Sequence, residues 1–303
     1  MMHLADKKSM TKRVLVLMAT HNGLQWVEEQ LKSIRAQEGV EVSILASDDA
    51  STDGTFEYLN SASGVMLLEE RGQHGSAGLN FFNLLLRADF SGHDFVAFSD
   101  QDDIWHPWKL ARAIDCLATQ GCEGYSANVT AFWEDGREAL VDKAQSQREW
   151  DFLFQSAGPG CTYVMSAFLA KGIQSVLRAN PRIPDEICLH DWFVYAWARS
   201  NGFTWFIDKE PVMRYRQHRA NEFGMNSGLK VAKKRIEEIK SGWYRCQVEA
   251  IAKVCGVDSQ KLVHKVLSKT WAGRISLAIH AGKFRRRYRD ALVLALISMR
   301  GWF

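Results

Sequence analysis

The chain has 303 residues, 47% of them hydrophobic, and is therefore globular, with enough apolar content for one large domain or two small ones. Its formal net charge of +3 is unevenly distributed. Residues 230–303 hold 17 Lys and Arg against 5 Asp and Glu, a net charge of +12, so the preceding residues carry −9. This balance indicates cation or sugar chemistry in the acidic body and an anionic surface as the partner of the basic tail.

The N-terminal half alternates short apolar runs with amphipathic ones, and each apolar run ends in a polar loop. This alternation is typical of an α/β protein with a mostly parallel sheet flanked by helices. Ligands of such sheets bind at the carboxyl ends of the strands, where all these loops lie. The four predicted strands are RVLVLMAT (13–20), EVSILAS (41–47), VMLLEE (65–70) and DFVAFSD (94–100).

The pattern is weaker after residue 108. We expect a helix over 109–120, a strand over 124–133, and a strand that runs into a helix over 161–179. A further helix is predicted to open at Asp191, followed by a strand or hairpin over 203–218. From residue 230 onward the pattern is helical and basic. We therefore predict a body of residues 1–228 and a basic helical extension of residues 229–303.

The six cysteines show neither a C-x-x-C pair nor the spacing of a metal site, and each is expected to fill core space. The N-terminus shows no secretory signal, since its polar start runs directly into a short apolar segment. Both features predict a cytoplasmic protein with reduced thiols.

Three carboxylates stand within four residues directly after the fourth predicted strand, namely Asp100, Asp102 and Asp103. Carboxylates about 4 Å apart repel one another by about 1 kcal/mol in water and by more in a partly dry cleft. A divalent cation reverses that repulsion, and oxygen ligands without a neighbouring His or Cys favour Mg²⁺ or Mn²⁺ over zinc. The alternative is a solvated acidic turn in which Asp102 or Asp103 caps the next helix.

A second acidic loop, SDDASTDGT, follows the second predicted strand. It resembles the opening of an EF-hand, but the position that needs a bidentate Glu is Asn60, and a strand rather than a helix precedes the loop. We therefore expect Asp48 or Asp49 to accept hydrogen bonds from a base or a ribose. The loop RGQHGSAGLN is neither a dinucleotide fingerprint nor a P-loop, although its glycines suit a phosphate.

Together these loops resemble the motifs of the inverting family 2 glycosyltransferases, which have a nucleotide-sugar-binding fold of the GT-A type with a metal-binding D-x-D. The likeness extends from residue 14 to about residue 221, and its details in SDQDDIWHPWKL, LHDW and YRQH look most like the bacterial rhamnosyltransferases. The matching segments are MATHNG, SDDASTDGT, RGQHGSAGLN, FSDQDDIWHPWKL, GPGCTYVMS and LHDW.

The resemblance implies which residues bind the donor. Thr20 and Asn22 would lie against the nucleotide, and Asp48 or Asp49 would read the base. Arg216 or Arg219 would neutralise the leaving group.

The resemblance also implies the metal site. Asp102 would coordinate an Mg²⁺ or Mn²⁺ ion that bridges the diphosphate, and Asp100 would hold the ribose or a metal-bound water. Asp103 would assist or would cap the next helix. His218 would approach the metal or the diphosphate, against the alternative of a structural histidine.

Asp191 in LHDW occupies the place of the family's catalytic base. The commoner pattern there is Glu-Asp, and His190 replaces the Glu, which leaves the role of the first residue open. A carboxylate at this place would take the proton of an acceptor hydroxyl. At a helix start the dipole would favour its anion. The alternative for Asp191 is an ordinary N-cap.

The implied function is an inverting transfer of a sugar, L-rhamnose from dTDP-L-rhamnose, to a cell-surface polysaccharide or lipopolysaccharide precursor. One alternative is a sugar-phosphate nucleotidylyltransferase, which would normally carry a Gly-rich loop with Lys or Arg after the first strand, and MATHNG does not. The other is a non-catalytic module that binds glycans or membranes.

The tail KFRRRYRDALVLALISMRGWF (283–303) places basic residues beside an apolar run that is too short to span a bilayer. This composition suits a helix on an anionic membrane, and we expect peripheral contact with the cytoplasmic face of the inner membrane and a glycan or glycolipid acceptor. A second basic helix is predicted over 229–240. The alternatives are helices that pack on the body or join two copies. No nucleic-acid-binding motif accompanies the charge, so we expect no nucleic acid partner.

Overall fold

The structure is a computed structural model and describes residues 11–69, 73–218 and 237–303. Strands and helices alternate before residue 218, and the part after residue 237 is helical. The strands are β1 (Lys12–Thr20), β2 (Val40–Asp48), β3 (Val65–Leu67), β4 (Phe95–Ser99), β5 (Ile104–Trp105), β6 (Gly124–Trp133), β7 (Glu138–Val141), β8 (Val164–Ser166) and β9 (Trp205–Gln217). The helices are α1 (Leu24–Arg35), α2 (Thr55–Ser61), α3 (Ala77–Arg87), α4 (Lys109–Gln120), α5 (Ala167–Ala179), α6 (Ile183–Glu186), α7 (His190–Ser200), α8 (Trp243–Val254), α9 (Lys261–Leu267), α10 (Trp271–Phe284) and α11 (Tyr288–Met299).

The described strands form one mixed sheet in the order β3-β2-β1-β4-β8-β6-β9-β5, with β7 paired to β6. All neighbours from β3 to β4 are parallel, as the alternation of strands and helices predicts. β8 then enters antiparallel between β4 and β6, and β9 returns parallel to β6. The α/β class with flanking helices is confirmed, and the wholly parallel part is the half of the sheet built from the first four strands.

Strand β1 is apolar on both faces, so helices must cover both sides of the sheet. Val16 and Met18 pack on one side with residues of α1 and α4. Leu15 and Leu17 pack on the other side with residues of α3, α5 and α7. The carboxyl ends of β1, β2 and β4 consequently open at one edge between these layers, and the polar loops lie there.

The C-terminal helices share the second of these cores. Val248, Leu277, Phe284 and Leu294 belong to the same buried apolar cluster as Phe154 of the body. Within the described residues, no helix has the length and apolar character that crossing a membrane requires. The predicted boundary at residues 228 and 229 lies outside the described residues, as does most of the basic segment 229–240.

Four basic residues that the sequence assigns to an anionic surface lie against the body. They belong to the end of α10 and to the link between α10 and α11, which is formed by residues 285–287. Their side chains contact oxygens of residues 142–154. Lys283 pairs with Glu149 at 2.8 Å, Arg285 donates to the Phe154 carbonyl at 2.8 Å, Arg286 pairs with Asp151 at 2.9 Å and Arg287 pairs with Asp142 at 3.3 Å.

The structure decides three alternatives that the sequence leaves open. Helix α4 begins at Lys109 with Trp108 as its N-cap, so neither Asp102 nor Asp103 caps it. Helix α7 begins at His190, one residue before its predicted start, and its N-cap is Leu189, which removes the alternative that Asp191 is an ordinary N-cap. The segment 203–218 contains one long strand, β9, rather than a hairpin, because β6 and β5 flank it on both sides.

Candidate active site

The loops that follow β1 and β4 are held together by Gln101, the residue between Asp100 and Asp102. Its side chain accepts a hydrogen bond from the His21 amide and donates one to the His21 carbonyl, both at 2.8 Å. A Cβ at Gly23 would lie 2.1 Å from the Gln101 side-chain oxygen, so a larger residue would displace this contact. Gln101 therefore positions the loop THNG (20–23) against the acidic cluster, by which we mean Asp100, Asp102 and Asp103.

Asp48 joins the same loop to the one that follows β2. It is 2% exposed, and its Oδ1 accepts hydrogen bonds from the hydroxyls of Thr20 at 2.9 Å and Ser51 at 2.6 Å. Its Oδ2 accepts the Ser51 amide at 2.9 Å. Asn22 has a left-handed φ of 46°, and its side chain accepts the Thr52 amide at 2.9 Å. Both predicted nucleotide contacts on the first loop thus lie beside the second loop.

Asp49 draws the Gly-rich loop to the same edge. Its Oδ2 accepts the Gly75 amide at 2.9 Å, and its Oδ1 accepts the amide of His74. Its carbonyl lies 2.6 Å from Nδ1 of His21, so this single residue contacts both neighbouring loops. The two aspartates that the sequence assigns to the base or ribose are therefore also the connectors of three loops.

Strand β9 ends at the acidic cluster. Nε2 of His218 lies 2.6 Å from Oδ2 of Asp102, and the His218 ring stacks on Trp26 with 4.1 Å between ring centroids. Arg216 donates from its guanidinium to the Asp102 carbonyl at 2.8 Å and from its amide to Asp103 Oδ1 at 3.2 Å. The structure thus brings Asp102, Arg216 and His218 together, as the resemblance implies.

Asp103 lies deeper than its neighbours, at 1% exposure. Side-chain ligand atoms of Asp100, Asp103 and Cys161 lie within 4.8 Å of one another. Burial, followed by the charges of Asp102 and Asp100, raises the pKa of the Asp103 carboxyl well above its usual value. The repulsion that the sequence indicates is therefore present among these three carboxylates.

Lys109 lies beneath this cluster, in a position that sequence reasoning missed. The buried amine donates to the Cys161 carbonyl at 2.7 Å and lies 3.3 Å from the centroid of the Trp105 ring. Burial lowers the pKa of this amine to about 7. Its bond to the Cys161 backbone anchors the turn Gly160–Thr162 below the carboxylates.

Asp191 lies beside the same turn. A Cβ at Gly160 would lie 3.0 Å from Cβ of Asp191 and 2.8 Å from Nε2 of His190. The next residue, Cys161, groups with Asp100 and Asp103. A single turn therefore neighbours both the candidate base and the acidic cluster, although Asp103 and Asp191 are 88 positions apart in the chain.

The carboxyl of Asp191 has an elevated pKa. Burial raises the pKa to about 6, although the Trp192 amide donates to Oδ1 at 2.7 Å and the Ser156 hydroxyl and the Lys143 charge favour the anion. The helix start favours the Asp191 anion, as the sequence indicates, but the cost of burying the charge exceeds this stabilisation, so the net shift of the pKa is upward.

His190 packs as an aromatic residue. Its ring stacks on Phe81 with 4.0 Å between centroids and meets the edge of Phe98 at 5.2 Å. Burial lowers the pKa of the imidazole to about 3, so the ring is neutral at physiological pH. The position before Asp191 is therefore not a second charged group, and it instead forms an apolar wall behind the candidate base.

Of the predicted site residues, one lies outside the described residues, namely Arg219. The others lie around one edge of the sheet, from Thr20 on β1 to His218 after β9. Sequence reasoning missed Gln101, Lys109 and Cys161, whose contacts join segments far apart in the chain. The sequence signal for Gln101 is its place inside the D-Q-D, but nothing local indicates the other two.

The family model described as Glycosyl transferase family 2 matches residues 15–160. Over 285 residues the chain is 42% identical to the dTDP-rhamnosyl transferase RfbG of Shigella flexneri, which covers 92% of this chain and 98% of that protein. It is 27% identical over 156 residues to the UDP-Glc:alpha-D-GlcNAc-diphosphoundecaprenol beta-1,3-glucosyltransferase WfgD of Escherichia coli, over 50% of this chain and 59% of that one.

Solved structures share the fold. TarS of S. aureus (residues 1–349) in complex with UDP-GlcNAc has a TM-score of 0.53 at 15% identity and covers 94% of this chain and 85% of that one. The mannosyltransferase PcManGT of Pyrobaculum calidifontis in complex with GDP-Man and Mn²⁺ has a TM-score of 0.53 at 17% identity. The match covers 97% of this chain and 82% of that one. With the loop geometry and the relative that matches nearly its whole length, these likenesses lead to one conclusion: the chain is a glycosyltransferase and belongs to glycosyl transferase family 2.

Proposed function

We propose that this chain transfers L-rhamnose from dTDP-L-rhamnose, with inversion at C1, to a hydroxyl of a polysaccharide or lipopolysaccharide precursor. The observation that carries the proposal is that Asp191 and the acidic cluster both neighbour the single turn Gly160–Thr162. A base and a diphosphate site this close together suit a direct displacement. The choice of sugar is supported by the name of the S. flexneri relative, dTDP-rhamnosyl transferase.

In this proposal, Asp191 takes the proton of the acceptor hydroxyl as the new C1–O bond forms and the bond to the diphosphate breaks. A base works best when its pKa lies near the working pH. The pKa of about 6 leaves most of the Asp191 carboxyl ionised at neutral pH while making it a stronger base than an exposed aspartate. The neutral ring of His190 behind it adds no competing charge.

The donor-binding roles remain with the residues named from the sequence. Thr20, Asn22, Asp48 and Asp49 lie at the carboxyl ends of β1 and β2, where the base and ribose are proposed to bind. Arg216, beside Asp102, is proposed to offset charge on the leaving diphosphate together with Arg219.

The residues present fit a divalent cation. Oδ2 of Asp103 is buried without a hydrogen-bond partner among the described residues, and its carboxylate is crowded by Asp100 and Asp102. We assign Asp102, Asp100 and His218 as the residues that would hold Mg²⁺ or Mn²⁺. Such an ion, when bound, supplies positive charge for the departing diphosphate. The PcManGT complex, which contains Mn²⁺ and GDP-Man, supports a cation in this fold.

The proposal includes a glycolipid or glycan acceptor at the cytoplasmic face of the inner membrane, reached by peripheral contact. A precursor carried on a lipid would place the acceptor hydroxyl close to the bilayer. The exposed apolar residues of α10 and α11, together with the exposed Arg289 and Arg300, support this part of the proposal.

A donor panel tests the proposal. The melting temperature of the purified protein is measured with dTDP-, UDP- and GDP-sugars, in the presence and absence of Mn²⁺. A ligand that binds the folded state raises this temperature. We expect the largest shift with dTDP-L-rhamnose and Mn²⁺, and release of dTDP when acceptor is added.

A variant tests the metal site. Asp102→Asn should lose the Mn²⁺-dependent shift, and Asp115→Asn, an exposed change on α4, should keep it. A larger shift with another donor overturns the sugar, and an unchanged response of Asp102→Asn overturns the metal site.

A further inference from the structure

Helices α10 and α11 form a hairpin with an unusual distribution of apolar residues. Residues 285–287 connect them, and the Ser298 hydroxyl donates to the Arg274 carbonyl at 3.0 Å, so the two helices run antiparallel. One side of each helix is buried in the shared core, through Leu277 and Phe284 of α10 and Leu294 of α11. A surface helix of this kind normally has a polar opposite side.

The opposite side of the hairpin is also apolar. Ile279 is 73% exposed and Leu296 is 57% exposed, which is far from the burial expected of such residues. We call the whole set the hairpin face. Its members are Trp271, Ile275, Ile279, Tyr288, Leu292, Val293, Leu296 and Met299.

The charges on this side all have one sign. The exposed positions of α10 and α11 include two charged residues, Lys283 and Arg289. Both are basic, and Lys283 pairs with Glu149 of the body at 2.8 Å. Arg300 follows the end of α11 and is also exposed. The one acidic residue of these helices, Asp290, is partly buried and lies 3.5 Å from both Arg285 and Arg289. An apolar surface whose own helices expose basic residues and no acidic one complements an anionic, amphipathic surface.

The aromatic members of the hairpin face stand at ends of the helices. Trp271 is the first residue of α10 and Tyr288 is the first residue of α11. The guanidinium of Arg274 lies 5.1 Å from the Trp271 ring centroid. Trp, Tyr and Arg prefer the headgroup level of a bilayer, with aliphatic residues between them in the acyl boundary.

We propose that the hairpin face binds the surface of a bilayer that contains anionic phospholipid, with its aliphatic residues in the acyl boundary and Arg289 and Arg300 at the headgroups. A second copy of the chain fits less well, since a twofold contact through this face would bring the arginines of both copies together, with no exposed acidic residue of α10 or α11 opposite them. The proposal names the surface for the membrane contact proposed above and rests on it. Its test needs neither donor nor acceptor, so it can fail while the transferase proposal stands.

The test measures binding of the full chain to vesicles by flotation. We expect binding to phosphatidylethanolamine vesicles that contain phosphatidylglycerol, and at least about tenfold weaker binding to phosphatidylcholine vesicles. The double variant Ile279→Glu, Leu296→Glu should lower the partition into anionic vesicles at least about tenfold, because apolar contact is replaced by repulsion. The matched control is Phe168→Glu on α5, a residue that is 71% exposed. It should bind as the unchanged chain does.

Melting curves show whether each variant is folded. If the double variant is unfolded, the single variant Ile279→Glu replaces it. The proposal is overturned if the unchanged chain does not bind anionic vesicles. It is also overturned if a folded variant with Glu at position 279 binds them as well as Phe168→Glu does. It is also overturned if light scattering shows a dimer that the double variant dissociates, because a second copy would then cover the hairpin face.

Discussion

Asp191 combines two opposing influences on one carboxyl group. Its place in the first turn of α7 and the amide of Trp192 favour the anion, whereas burial disfavours it. Burial prevails, and the pKa rises to about 6. A group that is costly to ionise in the fold and ready to accept a proton suits a general base.

The substitution Asp191→Asn separates transfer from donor binding. We expect transfer to fall by about 100-fold or more, since a positioned base contributes about 10² to 10⁴ in rate. The donor-induced melting shift should stay the same, because in the proposed role Asp191 acts on the acceptor hydroxyl and not on the donor diphosphate. Steady-state kinetics and donor titration provide the two measurements. Loss of donor binding would instead place Asp191 in the donor site.

The same pKa predicts two pH effects of Asp191. Transfer should decline as pH falls through about 6, as the base becomes protonated.

The stability of the fold should respond to pH in the opposite direction. A carboxyl whose folded pKa exceeds its usual 3.8 binds more protons in the folded state, so its contribution falls as pH rises from 3.8 to 6. Asp191→Asn should therefore be the more stable protein at pH 8, by up to about 3 kcal/mol, and should lose this advantage below pH 4. Urea denaturation at both pH values measures it, and a destabilised variant at pH 8 would contradict it.

At the level of elements, the site is a set of loops tied to one another at the edge of the sheet. Gln101 holds the loop after β1, and Asp49 holds the loop before α3. β9 contributes His218 to the loop after β4. Since each loop is held by its neighbour, a contact far from the reacting atoms can change the shape of the donor site.

Gln101→Ala tests this connection. It removes both bonds to His21, each contributing about 1 kcal/mol, so the KM for the donor should rise about tenfold or somewhat more while kcat changes little. The control is Gln25→Ala on the exposed side of α1, which should leave both constants unchanged. If kcat of Gln101→Ala instead falls about tenfold, the hydrogen bonds between Gln101 and His21 serve the chemical step rather than donor binding.

At the level of the whole molecule, the body and the C-terminal helices are joined by a buried ion cluster. Asp151 is fully buried and pairs with Arg286 at 2.9 Å and Arg199 at 3.3 Å. Arg286 also donates to the Ser156 carbonyl at 2.8 Å, and the Ser156 hydroxyl stabilises the anion of Asp191. The linker of the α10–α11 hairpin therefore supports the segment beside the candidate base.

Arg286→Met should lower the free energy of unfolding by about 3 kcal/mol, because it leaves the buried charge of Asp151 without one of its partners. The matched change Arg287→Met breaks a pair with Asp142 in which the side chains are 34% and 49% exposed, and should cost less than about 1 kcal/mol. Urea denaturation of both variants measures the difference. Equal losses would mean that the buried cluster does not join the two parts more strongly than a surface pair.

The sequence by itself determined the α/β class, the position of the polar loops at the carboxyl ends of the strands and the candidate carboxylates. These features are local, since apolar periodicity and the polar residues after each strand do not depend on distant contacts. The tertiary structure decided the antiparallel entry of β8, the meeting of His218 with Asp102, the docking of Arg286 on Asp151 and the direction of the Asp191 pKa shift. Each of these depends on packing between residues far apart in the chain, and the cost of burying a charge exists only where that packing has excluded water.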